Sequence, residues 1–328
     1  MNKKIVIIGA GAMGSRHLQG VKKINKFNYE IFVIDKNLES LNIAKKRYEE
    51  IKDNKKIKSV VFDSNINVLP KKIDLLINTT TSSKRYSSTK LVIDICDIKN
   101  IIFEKVLFNS ILEINKMDAI IKKKKIKAWV NCSYQCIPYF KKIRSLCADN
   151  GKLTMNVHGG NWSLGSSCIH FIEFFNYLTN SEICEMNFDL LGEKIQKSKR
   201  KKYYEFGGLL IAKTTSGDYL SIEAKKNSKK PLFIDISNND IYLQLEDAKR
   251  LVKIKDYSCS KIEERRVKIN MPMQSDLSKY LCENILINKC CDLPTYKTSS
   301  KNHILLFKSL LKIKKLKIKF GDNKLLIS

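Results

Sequence analysis

A glycine-rich run near the start of the chain has the residue types and spacing of a phosphate-binding turn. The run Gly9–Gly14 reads G-A-G-A-M-G and follows a continuous apolar stretch, Ile5–Ile8, which is typical of a parallel strand buried on both faces. In such a turn the first glycine permits the tight bend, the second lets the backbone approach a pyrophosphate, and the third lets a helix pack against the strand. The N-terminus of that helix then offers N–H groups to phosphates. The predicted contacts in this run are Gly9, Gly11, Ala12, Met13 and Gly14.

An acidic residue closes the next predicted strand. Ile31–Ile34 is apolar, and Asp35 follows it, about 20 residues beyond the glycines, where a carboxylate accepts hydrogen bonds from an adenosine ribose. An ordinary strand–turn–helix with incidental glycines is the alternative, and the joint presence of strand, helix and acid disfavours it. Asp35 favours NAD over NADP, although Lys36 leaves NADP open as a second cofactor because it could hold a 2′-phosphate.

Strands and helices alternate through the first part of the chain. The apolar runs and the helical periodicity predict a parallel, doubly wound sheet, because alternation of this kind buries the sheet under helices on both faces. Ligands of such sheets lie beyond the carboxyl ends of the strands, which places Thr79–Ser83 and Glu104-Lys105 near the cofactor. The predicted strands are 5–8, 31–34, 59–62, 73–78, 101–104 and 128–134, and the predicted helices are 38–51, 84–96 and 110–125.

The pattern changes after Pro138. The sequence predicts a helix at 139–149, a strand at 152–158 and a helix at 167–178, and from Glu185 onward alternating strands are separated by turn signals, which indicates an antiparallel sheet. Helices at 275–288 and 300–313 close the chain. We therefore expect an α/β protein with an N-terminal Rossmann domain (residues 1–127) and a C-terminal α+β domain (128–328) with a mostly antiparallel open sheet. Its closing helix is a candidate to pack back on the first domain, and the sheet is a candidate interface for a homodimer or homotetramer.

The charge of the chain invites a nucleic-acid function that its composition does not favour. The formal net charge is +28 with 61 basic residues, but only eight of these are arginine, the residue that usually recognises phosphates and bases in planar, bidentate contacts. A biased lysine-rich composition is the favoured explanation. A positive field would still attract an anionic substrate, so we expect a small-molecule partner and neither nucleic acid nor membrane.

Hydropathy and cysteine usage indicate the compartment. No apolar stretch approaches the roughly 20 residues needed to span a bilayer, and the first strand begins too early to leave room for a signal peptide. A cytoplasmic location is expected, where the ten cysteines stay reduced. Cys132 with Cys136 and Cys290 with Cys291 lack the second pair that a structural zinc site requires. We expect no metal.

Four segments of the chain, in order, match the pattern of one protein family. They are Gly9–His17 (G-A-G-A-M-G-S-R-H), Thr79–Arg85, Glu104-Lys105-Val106 and Gly160–Glu173, and Asn302-His303 and the closing helix are also similar. Together they resemble the Gfo/Idh/MocA family of nicotinamide-dependent sugar and polyol oxidoreductases, and the match covers most of the chain. The first segment resembles the opening of the family and the second its second cofactor loop; the third stands where the family has Glu-Lys-Pro, and the fourth is similar to the G…H-x-x-D segment of its substrate domain.

The resemblance implies hydride transfer between a nicotinamide and a sugar carbon. Lys105 would hold and polarise the reacting oxygen, and His170 would accept or supply the proton. Composition alone makes a lysine at position 105 common, and His170 lies among apolar residues, so a surface lysine and a core histidine are the alternatives. For His17 we expect a packing role under the glycine turn. The cofactor contacts implied after Asp35 are Thr79, Thr80, Ser83, Arg85 and Glu104.

Three departures from the family pattern bear on this chemistry. Val106 replaces the proline, so a cis peptide bond is not expected there. Ser166 stands four residues before His170, where many members carry an aspartate, and Glu173 replaces another aspartate. The Asn-Trp-Ser-Leu-Gly segment resembles a subgroup that acts in bacterial surface-glycan biosynthesis. The implied substrate contacts are Asn161, Trp162, Ser166 and Ser167; Trp162 would either stack on a sugar or anchor the helix in the core.

Two functions follow as hypotheses. The first is an NAD(P)-dependent sugar dehydrogenase or reductase, with a substrate that could be nucleotide-linked. The second is a catalytically silent member of the same fold that senses NAD and a sugar and regulates a partner. Val106 and Ser166 motivate the second hypothesis. Lys105 and His170 are required only by the first.

Overall fold

The structure is a computed structural model that describes residues 2–147, 151–160, 162–225, 228–258, 262–321 and 324–327. The chain divides into two compact units. Unit 1 comprises residues 1–131 and 272–299, and unit 2 comprises residues 132–271 and 300–328.

The strands of unit 1 are β1 (Lys3–Ile8), β2 (Tyr29–Ile34), β3 (Ile57–Asp63), β4 (Lys72–Ile73), β5 (Leu75–Asn78), β6 (Asp97–Ile98), β7 (Asn100–Phe103) and β8 (Lys127–Val130). Six of them form a parallel sheet with the order β3-β2-β1-β5-β7-β8, and β4 and β6 form a separate short parallel pair. The order reverses between β1 and β5, and the carboxyl ends of those two strands therefore flank the crevice in which ligands of such sheets bind. The central strands are buried on both faces because they consist of continuous apolar runs.

Helices alternate with these strands, and two of them have side-chain caps. Asn37 accepts a hydrogen bond from the Ser40 N–H at 2.9 Å, and Ser110 accepts one from the Glu113 N–H at 3.2 Å. Each cap satisfies an N–H group that a helix leaves unpaired in its first turn. The helices of unit 1 are α1 (Ala12–Lys22), α2 (Leu38–Glu49), α3 (Ser82–Ile95), α4 (Ile111–Lys124) and α7 (Gln274–Glu283), the last followed by a π-turn at Asn284–Asn288.

Helix α7 returns to unit 1 from late in the sequence and packs closely on α1. The close approach requires Gly20, because a Cβ at that position would lie 2.2 Å from the Ser275 carbonyl oxygen and 2.6 Å from the Ser278 Cβ. Gly20 lies one helical turn after His17. The glycine therefore brings Ser278 to the face of α1 that carries His17.

The strands of unit 2 are β9 (Thr154–His158), β10 (Ile183–Asp189), β13 (Gly208–Thr214), β14 (Tyr219–Ala224), β15 (Phe233–Ser237), β16 (Ile241–Glu246), β17 (Leu251–Asp256) and β18 (Glu263–Lys268), with a separate hairpin of β11 (Gln196–Lys197) and β12 (Tyr204–Glu205). The first eight form one sheet with the order β10-β13-β14-β9-β15-β16-β17-β18, in which β9 and β14 are parallel and all other neighbours are antiparallel. Buried and half-exposed residues alternate along its central strands, as expected when one face of a sheet is covered.

The helices of unit 2 are α5 (Pro138–Cys147), α6 (Leu164–Thr179), α9 (Lys314–Phe320) and the part of α8 (Tyr296–Leu311) from residue 300 onward. Helix α6 is apolar on most of its surface and is largely buried. It ends at Asn180, whose left-handed conformation (φ 50°) is one that asparagine adopts more readily than most residues.

The predicted fold class is confirmed, with differences at the ends of elements. The strand predicted at 128–134 ends at Val130, because a 3₁₀ turn at Ser133–Cys136 leads into α5, which begins at Pro138. Helix α6 begins at Leu164 rather than at Ser167. Helix α8 begins at Tyr296 rather than at Ser300, since Thr295 accepts the Thr298 N–H at 3.2 Å and so starts the helix earlier.

Candidate functional site

The glycine turn between β1 and α1 is closed on one side by protein atoms. Gly9 has φ +96°, a conformation that favours glycine. A Cβ at Gly14 would lie 1.8 Å from the Gly9 carbonyl oxygen and 2.7 Å from Thr79 Oγ1. These two glycines are therefore required by the fold of the turn itself.

Gly11 faces the opposite situation. It is exposed, it precedes the first residue of α1, and a Cβ built on it would have no described atom within 4 Å. No side chain of the described residues caps the helix at this end. The N–H groups of the first turn, to which exposed Ala12 and half-buried Met13 belong, are thus left to a ligand or to water. The space that glycine leaves free at position 11 is the space that a phosphate needs in order to reach the backbone.

Asp35 is fixed against the glycine turn by two backbone hydrogen bonds. Its Oδ2 accepts from the Ala10 N–H at 2.7 Å, and its Oδ1 accepts from the Asn37 N–H at 2.9 Å. Each carboxylate oxygen retains a further lone pair. The side chain is half-exposed, so the carboxylate is held in one orientation while its remaining lone pairs stay available to hydroxyl groups.

The loop after β5 is tied to the glycine turn. Thr79 Oγ1 donates to the Gly9 carbonyl oxygen at 2.6 Å, and Thr80 Oγ1 donates to Asn78 Oδ1 at 2.7 Å. Both threonines are half-buried, as is Ser83 in the first turn of α3. The hydroxyl of Thr79 thus holds the backbone of the glycine turn at Gly9. The loop after β5 lies beside this turn at the carboxyl edge of the sheet.

Arg85 lies inside unit 1 and supports two loops. Its guanidinium donates to the carbonyl oxygens of Thr80 and Val106, and to that of Leu107 at 2.8 Å. The side chain is almost fully buried. Arg85 therefore holds the backbone on either side of the predicted cofactor loop and of Lys105.

Glu104 is a buried carboxylate at the end of β7. Its Oε1 accepts from His17 Nε2 at 2.9 Å and from Asn131 Nδ2 at 2.6 Å. Burial by itself would raise the pKa of Glu104, but the hydrogen bonds from His17 and Asn131 and the positive charge of Arg85 outweigh it and lower the pKa to about 2. Glu104 is consequently ionised at neutral pH.

Lys105 follows Glu104 directly and is half-buried. The peptide bond between Lys105 and Val106 is cis, so the expectation of a trans bond after the loss of the proline was wrong. The carbonyl groups of Val106 and Leu107 are both held by buried Arg85. This long-range support of the backbone is invisible in the local sequence from which the expectation was drawn.

Those predicted substrate residues of unit 2 that the structure describes lie on or just before the first turns of α6. Ser166 is buried, and its N–H donates to Glu205 Oε2 at 3.3 Å. Ser167 and His170 are half-buried and share a face of the helix because they are three residues apart. The ring of His170 meets Tyr134 edge-on at 6.3 Å.

Trp162 precedes α6 and packs edge-on against Phe171, with ring centroids 5.4 Å apart and planes at 78°. Its Nε1 is buried and has no hydrogen-bond acceptor among the described residues. Asn161, the remaining predicted substrate residue, lies outside the described residues.

The residues that sequence reasoning missed are those around Glu104. Asn131 immediately follows β8, and a polar residue directly after a buried parallel strand is a signal that could have identified it. His17 is fully buried, as expected for a packing residue, but it also contacts Glu104. Its partner on α7, Ser278, is more than two hundred residues away in sequence, and no local signal points to it.

Within the described part of the chain, no group of three or more histidine, cysteine or acidic residues is arranged to hold a metal ion. In that same part, no helix combines the length and the apolar character needed to cross a membrane.

Comparisons with known proteins give matches at the level of structure only. No protein-family model and no curated protein matches the sequence. Among solved structures, the UDP-N-acetylglucosamine 3-dehydrogenase GnnA from Acidithiobacillus ferrooxidans is 10% identical with a TM-score of 0.72, and the match covers 94% of this chain and 96% of that chain. A super-repressor mutant of Gal80p from Saccharomyces cerevisiae is 14% identical with a TM-score of 0.72, covering 94% and 95%.

An oxidoreductase from Agrobacterium radiobacter, solved in complex with NAD+, L-tartaric acid and magnesium, is 9% identical with a TM-score of 0.69, covering 94% of this chain and 96% of that chain. These likenesses establish the fold. They agree with the resemblance to Gfo/Idh/MocA-type oxidoreductases that the sequence displays.

Proposed function

We propose that this chain, which has the fold of Gfo/Idh/MocA-type oxidoreductases, is an NAD-dependent enzyme that transfers a hydride between nicotinamide and a sugar or sugar derivative. The observation that carries the proposal is the contrast within the glycine turn. Gly9 and Gly14 are closed off by protein atoms, whereas Gly11 opens on an uncapped helix N-terminus. A turn that needed glycine only for its own fold would not require it at position 11.

The residues around the turn fit a dinucleotide. The first turn of α1 offers N–H groups to a pyrophosphate, and the fixed carboxylate of Asp35 suits the two hydroxyl groups of an adenosine ribose. A 2′-phosphate would meet that carboxylate with like charge, so NAD is favoured over NADP. Thr79, Thr80 and Ser83 line the neighbouring loop, Glu104 lies at the end of β7, and Arg85 supports both segments from inside.

The chemistry assigns separate tasks to a lysine and a histidine. Bound NAD+ would supply the hydride acceptor for a carbinol carbon, whose C–O bond would become a carbonyl. The hydroxyl proton must leave at the same stage; His170 is the proposed acceptor. Lys105 is proposed to hold the oxygen and stabilise its developing charge. In the reverse direction His170 returns the proton to the carbonyl oxygen.

The substrate class rests on the resemblance and on the neighbours. GnnA acts on a UDP-linked sugar, as its name states, and the net charge of +28 favours an anionic molecule. We therefore propose that the substrate is a nucleotide-linked sugar. The proposed location of the enzyme is the cytoplasm, and the proposed process is bacterial surface-glycan biosynthesis. The proposed contacts are Asn161, Trp162, Ser166 and Ser167.

The proposal is tested on the purified protein. Its absorption spectrum detects bound reduced nicotinamide, and titration with NAD+ and NADH measures their affinities. Gly11→Val should keep the thermal melting curve of the wild type and lose nucleotide binding, because the valine side chain would fill space that no described atom occupies. Lys36→Ser, at the exposed position next to Asp35, is the matched control and should bind NAD+ as the wild type does. Equal binding by wild type and Gly11→Val would reject the dinucleotide site.

A regulatory function is the second candidate. The neighbour Gal80p is a repressor by its own description, and this chain has Val106 and Ser166 where the family has proline and often aspartate. Lys105→Ala separates the two candidates, with Lys116→Ala, at an exposed position of α4, as the lysine control. For an enzyme we expect turnover of UDP-sugars to fall about 100-fold or more with NAD+ binding retained. A wild type that binds NAD+ tightly but oxidises none of a broad sugar panel would favour the regulator.

The open face of the eight-stranded sheet is the proposed interface of a homodimer or homotetramer. Half-exposed apolar residues recur on its strands, among them Ile211, Tyr219 and Phe233. Light scattering measures the oligomer directly. Phe233→Lys should shift it toward the monomer, and an unchanged mass would exclude this face.

A further inference from the structure

Five side chains of unit 1 form a closed ring of hydrogen bonds, here called the polar ring. Starting at Glu104 Oε1, the ring runs through Asn131 Nδ2 (2.6 Å), Gln274 Oε1 (3.1 Å from Asn131 Nδ2), Ser278 Oγ (3.2 Å from Gln274 Nε2) and His17 Nδ1 (2.9 Å from Ser278 Oγ). It closes from His17 Nε2 back to Glu104 Oε1 at 2.9 Å. Gln274 is half-buried, and the other four members are buried.

The chemistry of the ring fixes the direction of most of its bonds. Both partners of Asn131 Nδ2 are oxygen atoms that can only accept from it, so its amide orientation is determined. His17 Nε2 faces an ionised carboxylate and must carry a proton. Ser278 has one hydrogen, and its oxygen lies 2.7 Å from the Gln274 carbonyl oxygen as well as 2.9 Å from His17 Nδ1.

The two possible positions of the Ser278 hydrogen leave Glu104 in the same state. If Ser278 donates to the Gln274 carbonyl, then His17 Nδ1 donates to Ser278 Oγ and the imidazole is positively charged. If Ser278 donates to His17 Nδ1, then the imidazole is neutral with its proton on Nε2. In both cases Glu104 accepts from Nε2–H.

The ring joins the elements that meet at the predicted cofactor site. His17 lies on α1, which begins at the glycine turn. Glu104 and Asn131 directly follow the neighbouring strands β7 and β8, and Gln274 and Ser278 lie on α7. Glu104 directly precedes Lys105, the proposed catalytic lysine. A displacement of His17 would therefore shift the Glu104 carboxylate at the end of β7.

We propose that His17 is a positioning residue, which through the polar ring holds the Glu104 carboxylate in one orientation at the carboxyl edge of the sheet, where the dinucleotide is proposed to bind. The inference rests on the proposed function. From the sequence, His17 is expected only to pack under the glycine turn. The proposal gives it a measurable part in dinucleotide binding. A core histidine that merely fills space would leave the state of Glu104 unchanged when replaced by an apolar side chain of similar size.

The first test uses the protein without nucleotide. With ¹³C-labelled glutamate, the Glu104 carboxyl carbon, identified by its loss in Glu104→Gln, should keep one chemical shift from about pH 4 to about pH 7 in the wild type. In His17→Leu the donor is lost while burial remains, so the carbon should titrate within that range. His17→Gln retains a side-chain N–H and should restore the constant shift. A constant shift in His17→Leu would overturn the proposal.

The second test is the affinity for NAD+, measured by calorimetry. Loss of a hydrogen bond to a charged group predicts about 10-fold to 100-fold weaker binding in His17→Leu, with recovery to within about 3-fold in His17→Gln. His158→Leu, in a different histidine–carboxylate pair, is the matched control and should bind as the wild type does. Unchanged affinity in His17→Leu rejects the positioning role. Absence of NAD+ binding in the wild type counts against the proposed function instead, and the carbon titration still decides the state of Glu104.

A third measurement needs no variant that could misfold. ¹⁵N spectra of the histidine side chains of the wild type at neutral pH should show a proton on His17 Nε2, since the ionised Glu104 carboxylate accepts from it. A proton on Nδ1 alone at that pH would mean that His17 does not donate to Glu104, and the proposal would fall.

Discussion

Each unit of the chain contains a histidine paired with a carboxylate, and the two pairs differ in how much water reaches them. In unit 1, His17 Nε2 lies 2.9 Å from Glu104, and the side chains are 0% and 7% exposed. In unit 2, His158 Nε2 lies 2.7 Å from Asp235, and the side chains are 40% and 17% exposed. The distances are alike, and the surroundings are not.

The second pair has its own hydrogen-bond partners on the open face of the sheet. Asp235 Oδ1 accepts from Tyr242 at 3.0 Å and from Gln244 at 2.9 Å, and the His158 ring stacks on Phe233 with centroids 5.6 Å apart. Water can replace any of these contacts when one is lost. In the polar ring of unit 1 it cannot do so without opening the core, and we infer that the buried pair determines local structure whereas the exposed pair adjusts to its environment.

The largest expected effect is on stability. Glu104→Ala leaves buried donors of His17 and Asn131 without an acceptor and should cost unit 1 about 3 to 5 kcal/mol, whereas Asp235→Ala should cost unit 2 about 1 kcal/mol or less. The chain has two tryptophans, Trp129 in unit 1 and Trp162 in unit 2. Urea unfolding followed by fluorescence in Trp162→Phe and Trp129→Phe backgrounds therefore reports each unit separately. Equal losses in the two units would break the comparison.

Acid titration sharpens the same contrast. The pKa of Glu104 is lowered from its ordinary 4.5 to about 2, so its contribution to stability is present above about pH 4.5 and is lost as the pH falls through about 2. The lowering of this pKa corresponds to on the order of 3 kcal/mol of unfolding free energy. The difference in unfolding free energy between wild type and Glu104→Gln, followed by Trp129 fluorescence from about pH 6 to about pH 2, should shrink by this amount. A difference that does not change with pH would show that folding does not lower the pKa of Glu104, and a difference that grows as the pH falls would show that folding raises it.

The same contrast explains which parts of the molecule could be predicted from sequence. Strand β1, the glycine turn and Asp35 follow from local spacing, because a parallel strand and a glycine-rich turn are built from residues that are close in sequence. The polar ring joins side chains 87 and 261 positions apart. Such contacts depend on the packing of α7 on α1, for which Gly20 is the only sequence trace that we recognise.

The cis bond at Lys105 shows a second limit. Proline favours a cis bond through its own covalent chemistry, and the valine at position 106 carries no such signal. From the sequence, Arg85 is assigned only to the predicted cofactor loop, whereas in the fold it holds the neighbouring carbonyl groups. Its burial and its contacts with Val106 and Leu107 became apparent in the fold.

A smaller effect is expected when the exposed histidine is removed. His158→Leu should lower the stability of unit 2 by about 1 kcal/mol or less, because a hydrogen bond between half-exposed side chains gains little over hydration. Salt screens exposed charges, so rising salt should not enlarge this loss. Unfolding followed by Trp162 fluorescence at two ionic strengths measures it. A loss of several kcal/mol that salt does not alter would place this pair with the buried one.

The smallest effect concerns a tyrosine beside the exposed pair. Burial, followed by the negative charge of Asp235 and its hydrogen bond, raises the pKa of Tyr242 to about 12. Asp235→Asn removes the charge but leaves the burial, so the pKa of Tyr242 should fall while staying above its ordinary 10.0. Absorbance titration of the tyrosines, with Tyr242→Phe identifying the transition, measures this shift. Because an exposed carboxylate acts on its neighbour through a partly aqueous medium, the shift should shrink in high salt; persistence of the full shift would mean that Asp235 is shielded from water as Glu104 is.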